Sequence, residues 1–442
     1  MIKPMRRNRP LFALLLLCLA AFVAGPAAGQ ALNVQITGGL KTATPIAVVP
    51  FAQTGAPLPT DVAEVMRNDF NRSGKFRSLA KSEIVETPSR GAEIKFATWR
   101  LLKQDYIVVG RVNDAGNGMV QVQYELWDVN KQQSLLNQAM PPAPVGDLRG
   151  VAHQIADAIY EKITGVRGAF WTRIAYITAV GLGNNTTYSL IVADSDGYNP
   201  QVVAKSRESL LSPAWSPDGR KIAYVSFESG NSQIYVQDIT TGSRQLVASH
   251  PRGINGAPAW SPDGRKLALA LSYVGNPEIF VLDLASRQET RLTNSLSIDT
   301  EPVWSPDGQG IYFTSDRSGR PQIYQMPAGG GAPTRVSFQG QNNANASVSY
   351  DGKQIAMVQG NGNVYRIAVM DLSLGGQVRY LSPGPIDESP SFAPNASMLL
   401  YAATEGRRGV LYAVSADGMV RQRLVLSDGD VREPAWGPYR QR

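Results

Sequence analysis

The chain has 442 residues, enough for two or three domains with cores of their own. Charged residues make up only 18% while Gly and Pro number 42 and 29, a globular, turn-rich composition that excludes disorder. The 43 basic and 36 acidic residues give +7, but four basic residues lie in the first nine, so the rest carries +3 with no basic run to track a phosphate backbone, and nucleic acid is excluded as a partner.

Lys3, Arg6, Arg7 and Arg9 precede the apolar run "LFALLLLCLAAFVAG" and the small residues of "PAAGQA". This is the pattern of an export signal. Cleavage fits after Gly29 or after Ala31, and Ala31 is taken as the end of a leader over 1–31. The run is short for a membrane-spanning helix. Cys18, the single cysteine, sits inside that run, where it is a poor lipid acceptor. It leaves with the leader, so no disulfide, thiol nucleophile or Cys-based metal site follows.

Residues 32–44, "LNVQITGGLKTAT", alternate apolar Val34 and Ile36 with polar neighbours, and Gly38 and Gly39 make a hinge. A short sticky segment on a hinge can be bound in one state and free in another. Residues 45–164 read as a small α/β domain. "PIAVVPF" is a buried strand. "TDVAEVMRNDFNRSG" is a helix with Val62, Val65, Met66 and Phe70 on one face, Thr60 or Asp61 as cap and Gly74 as stop. "IKFATWRLLKQ" is a second helix leading into the strand "DYIVVGRV", and "MVQVQYELWDV" alternates as a strand with one buried face. "DLRGVAHQIADAIYEKITG" puts Leu148, Val151, Ile155, Ile159 and Ile163 on one face and stops at Gly165. "GVRGAF", 165–170, is a short joint.

From 171 to 442 the chain repeats itself. "PAWSPDG" begins at Pro213 and Pro258 and "PVWSPDG" at Pro302; looser copies begin at Ala346, Pro390 and Pro434. The spacings are 45, 44, 44, 44 and 44 residues, the period of a propeller with four-stranded blades. Pro and Gly in "SPDG" suit a tight turn. The strand before it carries Trp215, Trp260, Trp304, Val348, Phe392 and Trp436 at one position, fit to pack between blades. "RIAYIT" at Arg173 lacks a preceding first strand, and "PAWGPYRQR" at Pro434 lacks successors. The spare C-terminal strand should complete the N-terminal blade and close a ring of six, which removes open sheet edges. The fold class is therefore an α/β small domain followed by an all-β six-bladed propeller.

Catalytic chemistry is sparse. His153 and His250 have no neighbour at metal-ligand spacing and suit structural or surface roles, and neither H-E-x-x-H nor G-x-S-x-G occurs. A hydrolase on this propeller type needs a separate hydrolase domain, and a metal-assisted lyase needs clustered ligands. A glycan binder would show an array of exposed aromatics. These classes stay as alternatives to a non-enzymatic adaptor.

The export signal, "ALNVQITGGLKTATPIAVVPF", "PRGINGAPAWSPDGRKLALAL", and "TEPVWSPDG" followed by "FTSDRSGRPQIY" together resemble the TolB family of the bacterial Tol-Pal system. The resemblance covers essentially everything after the leader. It implies a periplasmic protein without cofactor or catalytic residues. The implied partners are the lipoprotein Pal, held on the propeller, and TolA, held by the N-terminal segment. The implied role is support of outer-membrane integrity and of invagination during cell division. Other envelope lipoproteins or porins are further candidate partners. The implied protein is a monomer, peripheral to the outer membrane through Pal.

Loop length indicates the docking face. The turns after the first and third strands are tight, so the longer connections open on the opposite face, and the loops before each first strand ring the channel mouth. The candidate Pal-face residues are Arg252, Asn255 and Ala257 in the loop before Pro258, then Asp299, Thr300 and Glu301 before Pro302, then Asp316 and Arg317 between the second and third strands of that repeat. Asn343 and Asn345, Asp387 and Glu388, and Arg432 and Glu433 follow. Leu32, Val34, Ile36 and Thr37 are the candidate TolA contacts. A cation held by Asp299, Glu301, Asp387, Glu388 and Glu433 is another reading of the mouth, although no calcium-loop pattern is present.

Overall fold

A computed structural model describes Val34–Gln35 and residues 43–441 save 56, 374, 425, 427 and 428. The leader, its cleavage site and the Gly38–Gly39 hinge lie outside the described residues.

The small domain is one mixed sheet in the order Phe76–Ser78, Thr44–Val48, Tyr106–Gly116, Met119–Asp128, Gln133–Ala139. The first three strands are parallel and the last two antiparallel. The helix α1, Val62–Arg72, starts at Asp61, whose carboxylate accepts the Glu64 N–H at 3.1 Å. Helix α2, Phe96–Leu101, is shorter than the apolar stretch around it. Helix α3, Leu148–Thr164, ends at Gly165 with φ +77°, a left-handed cap that glycine adopts without steric cost. Helices α1 and α3 bury one sheet face with Met66, Phe70, Ile155 and Ile159, and Trp99 of α2 fills the other. The strand Gln133–Ala139 escapes a sequence reading because it is an exposed edge with no apolar alternation.

Six four-stranded antiparallel sheets form the propeller, and Asp430–Trp436 pairs with Arg173–Val180 to complete blade one. Blades two to six begin with the inner strands Leu210–Trp215, Asn255–Trp260, Asp299–Trp304, Asn342–Val348 and Asp387–Phe392. The motif stitches neighbours together. The indole N–H of Trp215 donates to the Ala435 carbonyl (3.1 Å), Trp260 to Ala214 (3.0 Å) and Trp304 to Ala259 (3.2 Å), each in the preceding blade. In the turn, Gly219 N–H donates to the Ser216 carbonyl, and Ser216 Oγ donates to Asp218 and accepts from Lys221 N–H. Gly219, Gly264, Gly308 and Gly352 have φ near +70°, and each Cα faces a turn proline of the blade before it. A side chain there would be strained by the left-handed backbone, and at Gly219 it would also crowd Pro438, 3.3 Å from an added Cβ.

The small domain rests on the tight-turn face at blades one and six. Asn395 donates to the Arg167 carbonyl (2.9 Å), Lys75 pairs with Asp417 (3.2 Å), and Arg72 donates to Ser195 Oγ (2.8 Å). The joint is packed: Phe170 lies in the small-domain core against Phe70 and Tyr160, while Ala169 lies in the propeller core.

Candidate functional site

The long-loop face lies away from these contacts. Each inner strand pairs with its neighbour in register, then jumps: at Leu211/Ala214, Gly256/Ala259, Thr300/Val303, Ala344/Ser347, Glu388/Ser391 and Arg432/Ala435. At every jump one residue is left-handed: Ser212 (φ 52°), Ala257 (48°), Glu301 (53°), Asn345 (52°), Ser389 (54°) and Glu433 (48°). None is glycine, so each costs roughly 1 kcal/mol or more. A bulge redirects a side chain and ends the ladder. Here six of them ring a channel of about 850 Å³, beneath which Pro and Trp or Phe side chains form its wall.

Two carboxylates pin this ring. Glu301 accepts the Asn345 N–H of the next blade at 2.8 Å and the Thr314 hydroxyl at 2.7 Å. Glu433 accepts the Ser212 N–H of its own next blade. Burial, then the nearby Glu388 carboxylate, push the Glu433 carboxyl above its usual range.

Four of the candidate loop residues point inward. Asn255, Asp299, Asn343 and Asp387 occupy one repeated position, and all are buried. Asn255 donates to the Ser232 and His250 carbonyls, Asn343 to Gln322 Oε1 and the Gln339 carbonyl, and Asp387 accepts from Gly384 N–H. Asp299 is paired with Arg317 at 2.7 Å. They brace the loops, because a polar group buried there must find its bonds inside the protein. Asp316 likewise accepts the Ile298 N–H at 2.9 Å. Arg252, Glu388 and Arg432 are exposed, and Ala257, Thr300, Glu301, Asn345 and Glu433 are half-buried at the mouth.

Apolar side chains also stand exposed in these loops. Ile254, Leu296, Ile298, Phe338 and Ile386 stand in the four successive connections between blades two and six, with Leu296 fully exposed and Phe338 72% exposed. The available signal was their position: apolar residues inside Gly-, Ser- and Asn-rich loops, outside any strand alternation.

Glu388 lies near Glu433, but the five acidic residues of the mouth do not gather as one set. Asp299, Asp387, Glu301 and Glu433 are each engaged separately, and no group of three or more His, Cys, Asp or Glu suited to a metal occurs among the described residues. His250 stacks on Tyr273 with ring centroids 4.0 Å apart and faces Glu289 at 3.0 Å, while His153 is buried between the two domains.

Val34–Gln35 pairs antiparallel with Arg421–Arg423 as a fifth strand on blade six. Leu32, Ile36 and Thr37 lie outside the described residues. Among the described residues no helix is long and apolar enough to cross a membrane.

Two family descriptions match this chain: the TolB amino-terminal domain over residues 32–135 and the TolB beta propeller domain over residues 160–440. The chain is 64% identical to the Tol-Pal system protein TolB of Xanthomonas campestris pv. campestris (strain B100), covering 100% of this chain and 99% of that protein. The protein of the same name from Xanthomonas euvesicatoria pv. vesicatoria (strain 85-10) matches with the same identity and coverage. Among solved structures, TolB from Acinetobacter baumannii superposes with a TM-score of 0.84 at 41% identity, covering 92% of this chain and 100% of that one.

Proposed function

The chain belongs to the TolB family, and on that premise we propose that it is a non-enzymatic adaptor of the Tol-Pal system in the periplasm. Its propeller holds the lipoprotein Pal on the long-loop face, and the segment around Leu32 to Thr37 is the part TolA takes. The role that follows is support of outer-membrane integrity and of envelope invagination during division. The observation that carries this reading is the ring of six left-handed residues under exposed apolar loop tips, on the face the small domain leaves free. A ring of non-glycine residues held in a costly conformation is what a preorganised docking rim requires, because order already present is not lost on binding.

Titration calorimetry of the protein with purified Pal tests it. Ala257→Asp and Leu296→Asp should each weaken binding by about tenfold or more, the scale of a central interface residue. Arg265→Glu, on the tight-turn face, should not. Equal loss from the tight-turn variant, or no binding of Pal by the unaltered protein, would overturn the assignment. Removal of residues 32–37 should abolish TolA binding and spare Pal.

A further inference from the structure

The joint between the domains holds a buried charge cluster that no docking role uses. His153 on α3 is 1% exposed. Its Nδ1 lies 2.6 Å from Asp69 Oδ2 on α1, and its Nε2 lies 3.6 Å from Asp196 Oδ2 on the blade-one turn. Every neighbouring element contributes charge. Arg72 of α1 pairs with Asp69 at 2.9 Å and donates to Ser195 Oγ in that turn. Arg149, one helical turn before His153, pairs with Asp196 and lies 3.7 Å over the Tyr198 ring. Asp157, one turn after His153, accepts the Phe170 and Trp171 N–H groups of the linker at 2.7 and 3.1 Å. Asp194 lies beyond, paired with Arg440.

A neutral imidazole has one N–H and can donate on one side only, whereas the imidazolium donates from both nitrogens. His153 has a carboxylate on each side, one in each domain; at 3.6 Å Asp196 is beyond hydrogen-bond reach of Nε2, so that contact is an ion pair open only to the imidazolium. The arginines Arg72 and Arg149 face the carboxylates Asp69, Asp157 and Asp196, so the charges balance only when the imidazole carries its proton. Unbalanced charge at this depth is costly. We propose that His153 is a proton-operated clamp: as the imidazolium it ties α1 to the blade-one turn, and loss of its proton loosens the joint between the domains.

The titration behaviour agrees. Burial alone would lower the imidazole; the Asp69 carboxylate and its hydrogen bond, with Asp196, more than offset this and raise it above the ordinary 6.5. Asp196 is partly opposed by burial, but His153 and the arginines hold it down to about 2. Burial pushes Asp157 up to about 6, against the pull of its two N–H donors. A raised imidazole contributes stability that is complete below 6.5 and is lost as pH rises through its folded midpoint. The clamp is therefore balanced from about pH 6, where Asp157 ionises, up to that midpoint.

The chain has two histidines, so imidazole resonances are separable by NMR, with His250→Gln assigning the second. The clamp is read by hydrogen–deuterium exchange of segments 166–172 and 194–198 from pH 6 to 9, corrected for the chemical rate. Protection should fall through the His153 midpoint, by about tenfold for each unit by which that midpoint exceeds 6.5. In His153→Gln the protection of 194–198 should be low and pH-independent, while 166–172 keeps only the change at about pH 6 at which Asp157 ionises. Protection that stays flat across the midpoint, or a wild-type profile in His153→Gln, would overturn the proposal. If that variant fails to fold, Asp196→Asn removes only the propeller-side carboxylate. The His153 midpoint should then move down and the turn should lose protection, and an unchanged midpoint refutes the clamp.

Discussion

Glu301 and Glu433 stand three blades apart on the ring of six and make the same contact: each, itself left-handed, accepts the backbone N–H of the left-handed residue in the next blade, Asn345 and Ser212. The mouth is thus latched at two opposed seams. A donor left without its acceptor costs more than the bond contributes, because it stays out of water. In Glu301→Ala the Asn345 N–H keeps Thr314 Oγ1 at 3.1 Å but the Thr314 hydroxyl loses its acceptor, so stability should fall by about 1 kcal/mol, and Glu301→Gln, which keeps an acceptor oxygen, should lose less. Denaturant unfolding of the two variants checks the order.

The left-handed ring makes a prediction about residue shape. At Ala257 the φ of 48° is open to glycine and strained for a β-branched residue. Ala257→Val should cost about 1–3 kcal/mol. Ala257→Gly should stay within about 0.5 kcal/mol of the parent, since relief of strain and the looser unfolded chain offset each other. Thermal midpoints decide, and equal loss in both variants would show that the side chain, not the backbone, matters there.

Trp260 joins its blade to the one before through a single indole N–H to the Ala214 carbonyl. Trp260→Phe keeps the apolar contact and loses the bond, so it should cost about 1 kcal/mol. Trp260→Ala should cost several times that by leaving a cavity. Blade six already carries Phe392 at this position, buried without the bond.

Deleting residues 430–442 removes the inner strand of blade one, with Val431 and Trp436 from its core and the Trp436 indole bond to Thr172 Oγ1 at 2.8 Å. The strand Arg173–Val180 becomes an open edge. Loss of the cooperative unfolding transition and concentration-dependent association in light scattering are the expected outcomes.

Acid should attack the joint through Asp196. Its carboxyl is held down to about 2, below the ordinary 3.8. A depressed carboxyl contributes stability that is complete above 3.8 and disappears as pH falls toward 2, here about 2 kcal/mol. Asp196→Asn should therefore be less stable than the parent at pH 6, with the gap closing between pH 4 and 2. A constant gap over that range would count against it.

The repeat alone determined the propeller. Six copies at one spacing, a missing strand at one end and a spare at the other leave a closed ring as the way to bury every edge. The helices of the small domain were legible for the same kind of reason, since their apolar periodicity is local, while the edge strand Gln133–Ala139 has no such pattern. The proposed docking face was legible only as a side, from loop length. Sequence could not separate Asn255, Asp299, Asn343 and Asp387, which brace the loops, from Ala257 and Thr300, which reach the mouth. Burial is decided by what the neighbouring blade places opposite, such as Arg317 against Asp299. The same limit hid His153: its partners lie 84 and 43 positions away on α1 and on a propeller turn, and only packing the two domains together turns a helical histidine into a buried ionic bridge.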